Sequence, residues 1–343
     1  MEARTRPGWG DVHLVHAALP VADLDHIDLS VEFLGRRLRA PLAIASMTGG
    51  HRAATEINRR LAAAAQRHGL AMGVGSQRAA LRAPRLAASY SVAREAAPDA
   101  FLIGNLGAAQ LVPQGAASKP AVGAAELQRA VEMIRADALA IHLNFLEEAV
   151  MPEGDRSVEG LRQALAAAVE SAPVPLIAKE TGAGMARAAA LELRALGFGA
   201  LDVGGLAGTS FAAVEGERAA EQGDQRGRRM GEVFRDWGLP TAISVAAAAG
   251  AGLPLIATGG IRSGLDAAKA LALGATAVGV ARPLLTAALE SEEAVDAWIA
   301  QFLEELRVSC FLSGVARAAD LGSAAHVISG ETRRWLDDLG WAG

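Results

Sequence analysis

The sequence predicts an α/β protein folded as one (β/α)8 TIM barrel, and three observations carry that expectation. Continuous apolar runs of β type recur eight times. Most are followed by an alanine-rich helical stretch. The 343 residues, 51% of them hydrophobic, suffice for one large barrel around a buried core. Apolar strands that alternate with helices imply parallel strands with covered outer faces. A doubly wound open sheet, the alternative, usually has fewer units and a single glycine-rich phosphate turn.

The runs are "PLAIASMTGG" (41–50), "LAMGVGS" (70–76), "FLIGNLG" (101–107), "ALAIHLN" (138–144), "PLIAKETG" (175–182), "ALDVGGL" (200–206), "PLIATGGI" (254–261) and "AVGVARP" (277–283). Between them, "ATEINRRLAAAAQRHG" and "SGLDAAKALALG" carry a helical period and stop at glycine, a C-cap residue. Ser263 and Asp266 stand at capping-box spacing, with Asp where Glu or Gln is usual. Two segments fall outside the alternation: an N-terminal extension over 1–40 and a connection over 207–240 after strand six. The second is polar, charged and glycine-punctuated, and its length predicts a lid-like loop that is mobile without ligand. A single domain over 1–343 is expected.

Composition excludes several classes. A net charge of −5 and short basic runs diluted by acids, "GRRLR" and "RGRR", leave no footprint for nucleic acid or a membrane surface. The apolar runs are too short to span a bilayer. "MEARTRPGWGDVH" lacks the apolar segment of a signal peptide. The single cysteine, Cys310, excludes an internal disulfide framework, and its apolar context reads as a core thiol. A soluble cytoplasmic protein is expected.

Active sites of such barrels form where strands end. Here the ends carry Met47, Thr48, Gly49 and Gly50; Ser76, Gln77 and Arg78; Asn105; His142, Asn144, Glu147 and Glu148; Lys179 and Glu180; Thr209; Gly259, Gly260 and Arg262; and Ala281 and Arg282. "TGGIRSG" after strand seven offers glycine amides and Arg262 to an anion, and "GVARP" after strand eight lies beside it, the usual phosphate position of this fold. Such a phosphate commonly belongs to a cofactor whose ring crosses the mouth. Lys179 would then face that ring, where a flavin would give its charge a partner; an ion pair with Glu180 or Glu148 is the structural alternative. The small residues of "ASMTGG" would let a flat ring approach strand one.

Taken together, "MTGG", "GVGSQR", "GNLG", "IHLN", "VMPEGD", "AKETGAGM", "DVGGLAGTSFAAVE", "WGLPTA" and "TGGIRSGLDAAKALALGA" resemble the type 2 isopentenyl-diphosphate isomerases, flavin-dependent enzymes of isoprenoid biosynthesis. The resemblance runs from about Asp25 to the C-terminus. It implies an FMN barrel that assembles as a homotetramer or homo-octamer. FMN contacts would fall on Met47, Thr48, Ser76, Asn105, Lys179, Thr209, Gly260, Arg262 and Ala281. The substrate diphosphate would meet Gln77, Arg78, His142 and Asn144, with Mg2+ at Glu148, a ligand set suited to an ion that takes few carboxylates plus substrate phosphates. NADPH would reduce the flavin once, and the reaction itself would be redox-neutral. Glu147, Lys179 and His142 are the candidate catalytic groups.

The chain departs from the family in two places. Glu147 stands where the family has glutamine, and a glutamate can exchange a proton that an amide cannot. The family's arginine-lysine pair before a histidine is broken in "RTRPGWGDVHLVH", where Arg4 and Arg6 remain, Pro7 and Trp9 intrude, and His13 could stand in for the histidine. These departures keep open a related flavoenzyme acting on another prenyl or allylic substrate. An α-hydroxy-acid oxidase fits less well, because those flavin barrels carry a catalytic histidine before strand seven and "TAISVAAAAGAG" has none. Glu215 in "FAAVE" is a further acid candidate, and Trp237 is expected to pack the base of the lid.

Overall fold

Each of the eight apolar runs forms a strand, and the eight close into a parallel barrel in chain order. The computed structural model describes residues 1–114 and 121–341. The barrel strands are β1 (Leu42–Ile44), β2 (Ala71–Gly73), β3 (Phe101–Gly107), β4 (Ala138–Leu143), β5 (Leu176–Glu180), β6 (Ala200–Asp202), β7 (Leu255–Thr258) and β8 (Ala277–Val280). Closure comes from β8 against β1, with Val278 opposite Leu42 and Val280 opposite Ile44.

The two-residue period of a strand divides each one between two cores. Leu42, Ile44, Met72, Leu102, Leu139, Ile141, Leu201, Leu255 and Val278 face outward and pack under the helices. Ala43, Ala71, Phe101, Ile103, Ala138, Ala140, Ile177, Ala200 and Ile256 fill the inside. The N-terminal extension completes that inner core. Its hairpin, Val31–Phe33 against Arg36–Leu38, turns through Leu34 and Gly35 at positive φ. Phe33 then plugs the barrel floor edge-on to Phe101, with ring centres 5.7 Å apart. Elsewhere in the extension, Val12–Leu14 pairs antiparallel with His326–Ile328.

The helix ends follow the sequence signals. Gly69 caps Arg52–His68 at φ 64. Ser263 caps Gly264–Ala272 by accepting from the Asp266 amide at 3.1 Å, while the Asp266 carboxylate accepts from the Arg262 amide rather than from the cap itself. The connection after β6 differs from expectation. It is not an open loop but two helices, Phe211–Glu221 and Gln225–Val233, packed against each other. The glycines that read as punctuation make the contact: a Cβ on Gly216 would meet the Gly231 Cα at 2.9 Å. Two backbones approach this closely only without side chains between them. Cys310 is buried in the core, where burial pushes its thiol up to about 12. Among the described residues no helix is long and apolar enough to cross a membrane.

Candidate active site

Strand register places the polar groups at one level of the mouth. His142 lies opposite Lys179 across β4 and β5, and Lys179 opposite Asp202 across β5 and β6. The Lys179 Nζ donates to Asp202 Oδ2 at 2.8 Å and to the Glu180 carbonyl at 3.3 Å. Its carboxylate partner is therefore Asp202, not Glu180 or Glu148. The Glu180 carboxylate turns instead to its own loop, accepting from the amides of Thr181, Gly182, Ala183 and Gly184. Burial raises it to about 7 while those four amides pull the other way. Facing this polar arc, β7, β8, β1 and β2 offer Thr258, Gly279, Ala45, Ser46 and Gly73 around a cavity of about 20 Å³.

His142 sits in a defined protonation state. The Asn105 amide nitrogen donates to the Val74 carbonyl at 3.1 Å, so its oxygen faces His142 Nδ1 at 2.8 Å. A carbonyl acceptor fixes the amide, and the amide oxygen then requires Nδ1–H. In the neutral ring Nε2 then keeps its lone pair. Burial, followed by the charges of Lys179 and Arg78, lowers His142 from 6.5 to about 4.

The short helix Phe145–Val150 after β4 carries both glutamates, and a single amide ties them together. Asn144 Nδ2 donates to Glu147 Oε2 at 3.0 Å and to Glu148 Oε1 at 3.3 Å. Glu148 also accepts the Asp155 amide at 2.7 Å, and the Asp155 carboxylate pairs with Arg78 at 2.8 Å. Burial raises Glu147 above its usual value. The Asn144 hydrogen bond opposes that, and the charges of Glu215 and Glu148 add to it. Glu215 is buried on the first helix after β6.

At the opposite rim, Gly259 and Gly260 turn at φ 122 and 67 beside the start of the helix Arg282–Glu290. The Glu2 carboxylate lies between Arg262 at 3.1 Å and Arg282 at 2.9 Å. Residues 1–7 hold it there as a strap. Glu2 bridges Thr209, the Ala3 amide donates to the Gly208 carbonyl, and Pro7 covers Gly260. Arg4 turns outward to Glu232 at 2.7 Å.

The sequence-predicted residues divide on this geometry. Asn105, His142, Asn144, Glu147, Glu148, Lys179 and Arg78 gather at the mouth. Thr209, Gly260 and Arg262 line the rim with the strap, and Met47 and Ala281 follow β1 and β8. Gln77 is a correction. It is fully buried behind β3, donating to the Ala130 carbonyl at 2.8 Å and accepting from the Asn105 amide at 2.9 Å, so its amide is spent on backbone and does not face substrate. The Thr48 hydroxyl donates away to Asn58, and the Ser76 carbonyl accepts from Tyr90. His13 bonds Ser329, and Trp237 is largely exposed, edge-on to Phe234. Asp202, Asp155 and Glu2 were missed. Each is a partner of a predicted residue; Asp155 and Asp202 lie in stretches that carry the resemblance, "VMPEGD" and "DVGGLAG", and Glu2 has no local signal.

A flat cofactor with a phosphate fits these residues. A side chain on Gly279 would strike Thr258, whose buried hydroxyl has no partner, and the Glu2 carboxylate stands between two arginines as a phosphate would. The donor set beside Glu148 suits a hard cation, because the buried Asn144 Oδ1 also lacks a partner. Among the described residues no cluster of three or more His, Cys, Asp or Glu could hold a metal by protein ligands alone.

The structure is a parallel (β/α)8 barrel with two arginines and a glycine turn after strands seven and eight and a buried lysine at the mouth. The model of the FMN-dependent dehydrogenase family matches residues 2–89 and 239–328, about half of the chain. Similar solved structures include a mandelate oxidase with an FMN adduct, at 17% identity and a TM-score of 0.60 over 96% of this chain and 94% of that one. A lactate oxidase from Pediococcus acidilactici gives 16% and 0.63 over 95% and 85%. These likenesses concern the fold. The isopentenyl-diphosphate delta-isomerase of Methanoregula boonei is 51% identical over 334 residues, 96% of this chain and 90% of its own. That of Thermococcus onnurineus is 49% identical over 98% and 90%. The chain is an enzyme belonging to the type 2 isopentenyl-diphosphate delta-isomerase family.

Proposed function

We propose that the protein isomerises isopentenyl diphosphate to dimethylallyl diphosphate with FMN and Mg2+, after a single reduction of the flavin by NADPH. The observation that carries this reading is the pairing of a cationic, hydrogen-bonding arc on β3 to β6 with a small-residue wall on β7, β8, β1 and β2. Arg78 binds and orients the diphosphate, while Asn144, whose Nδ2 is held by Glu147 and Glu148, keeps the two carboxylates in place and leaves its Oδ1 to the cation. His142 offers Nε2 to a protonated phosphate oxygen or takes up a proton as the anion arrives. Glu148 would hold Mg2+, an ion that takes one or two carboxylates together with substrate phosphates. FMN, when bound, would supply an electron-rich ring. Lys179 holds its ammonium against Asp202 at the mouth, where it would face that ring.

Glu147 is shifted toward its protonated form. Burial and the neighbouring carboxylates favour a neutral acid there, and a neutral acid, like the family's glutamine amide, both donates and accepts. Its proton can also be exchanged. The mouth closes under the two helices after β6, and the enzyme is soluble, cytoplasmic and a homotetramer or homo-octamer.

A second reading, a flavoenzyme for another prenyl or allylic substrate, is favoured by Arg4, which pairs with Glu232 and is directed away from a diphosphate at Arg78. One assay separates the two. The FMN-loaded protein is incubated with NADPH, Mg2+ and isopentenyl diphosphate without oxygen, and dimethylallyl diphosphate is measured. Turnover is expected. No product from a flavin-loaded, reducible protein sinks the isomerase reading.

A further inference from the structure

Lys179 and Asp202 form the most buried ion pair among the described residues, with side chains 9% and 7% exposed. A buried pair adds little stability over apolar side chains of similar volume, so folding alone does not account for it. Its geometry is fixed from both ends. The strands hold the two residues in register, and Asp202 Oδ1 accepts from the Gly204 amide at 3.3 Å. An ammonium carries three hydrogens. Two are taken by Asp202 and the Glu180 carbonyl, which leaves one for the mouth.

We infer that Asp202 is a positioning residue for Lys179, holding the Nζ ammonium charged and in place before any negative charge develops on the flavin. The inference rests on the FMN reading above. The other titratable groups around Nζ do not share this role. His142 on β4 is neutral with Nδ1–H toward Asn105, and the Glu180 carboxylate on β5 is turned to four loop amides. Among the described residues, those that β1, β2, β3, β7 and β8 bring to the cavity beside Lys179, Ser46, Gly73, Ile103, Thr258 and Gly279 among them, are not titratable, and the charged Arg78 beyond β2 is paired with Asp155.

The consequence is a proton count. With Nζ charged throughout, two-electron reduction of the bound FMN takes one proton, the stoichiometry a hydride from a reduced nicotinamide delivers. Without the Asp202 carboxylate, a buried amine facing oxidised FMN gives up its proton. Reduction then takes a second proton, which returns to Nζ.

The test is a spectroelectrochemical titration of the FMN-loaded protein between pH 6 and 8. The wild type is expected to lose about 30 mV of midpoint potential for each tenfold fall in proton activity, the one-proton value of a two-electron couple. Asp202→Asn is expected to double that slope to about 59 mV, and Asp202→Glu to restore the lower one. A two-proton slope in the wild type overturns the inference even if the variant fails to fold, and so does a wild-type slope in Asp202→Asn. Failure of the wild type to retain FMN in gel filtration sinks the cofactor reading itself, before any potential is measured.

Discussion

The two arcs of the barrel mouth are built by opposite means. From β7 through β2 the wall is made by leaving side chains out: Gly259, Gly260, Gly279, Gly73 and Ala45 present backbone. From β3 to β6 it is made by adding polar side chains, each tethered by a partner. Asn105 orients His142, Asp202 holds Lys179, Asn144 joins Glu147 to Glu148, and Asp155 pairs with Arg78. A flat ring is recognised by vacated space and amides. A small charged substrate needs charges whose own neighbours have already fixed them.

If the polar arc consists of tethered pairs, cutting one tether should cost more than removing both ends. Lys179→Met leaves Asp202 buried without a cation and is expected to destabilise the protein by about 3–5 kcal/mol, whereas Lys179→Met with Asp202→Asn should recover most of that. Chemical denaturation of the three variants measures it. A single-variant loss no greater than the double's would break the distinction between the arcs.

His142 gives the next effect, and its sign follows from its lowered folded value. Between pH 6.5 and about 4 the unfolded chain binds a proton that the folded histidine refuses, so stability is full above 6.5 and falls as pH drops through that window. The fall totals on the order of 3 kcal/mol. His142→Asn should flatten the pH dependence of the urea midpoint there. An unchanged slope would mean that the ring is charged in the folded protein.

The asymmetry also explains what could be read from the sequence. The eight strands and the helix stops at glycine were legible, because each is a local pattern of apolar runs, glycines and caps. Asp202 was not. It sits inside an apolar run 23 positions from Lys179, and only strand register shows that the two meet. Gln77 failed for a related reason: a strand-end position does not say whether a side chain turns inward or, as here, back toward the helix Ala124–Ile134. The segment after β6 was misread because glycine reads as a breaker, yet Gly216 and Gly231 lie where two helices touch.

Glu147 tests whether the polar arc tolerates a titrating member. Its folded value is raised, so activity carried by the protonated acid is expected to fall as pH rises through that value. Glu147→Gln fixes a neutral donor and acceptor in its place. It should keep wild-type activity within about tenfold at low pH, less than the roughly 100-fold or more that a lost general acid–base group costs, and lose the alkaline fall. Stability gives an independent reading. The folded protein binds this proton more tightly, so the ionised side chain is unfavourable above the folded value and the substitution should stabilise more at pH 8 than at pH 4. Activity that disappears at every pH would instead make the exchangeable proton essential and favour the second substrate reading.

The smallest effect belongs to the backbone-lined arc, where the Glu2 carboxylate lies between Arg262 and Arg282. A phosphate binding to those arginines must displace it. All three side chains are well exposed, so each pair contributes roughly 0.2–1 kcal/mol and is screened by salt. Glu2→Gln should therefore tighten FMN binding only about two- to fivefold by fluorescence titration, with the gain shrinking at high salt. The neutral flavin without its phosphate, riboflavin, should bind both forms equally. That contrast places the effect at the cradle rather than at the ring. Weaker FMN binding in Glu2→Gln would mean that the strap supports the cofactor instead of competing with its phosphate, and that this arc, like the polar one, uses tethers.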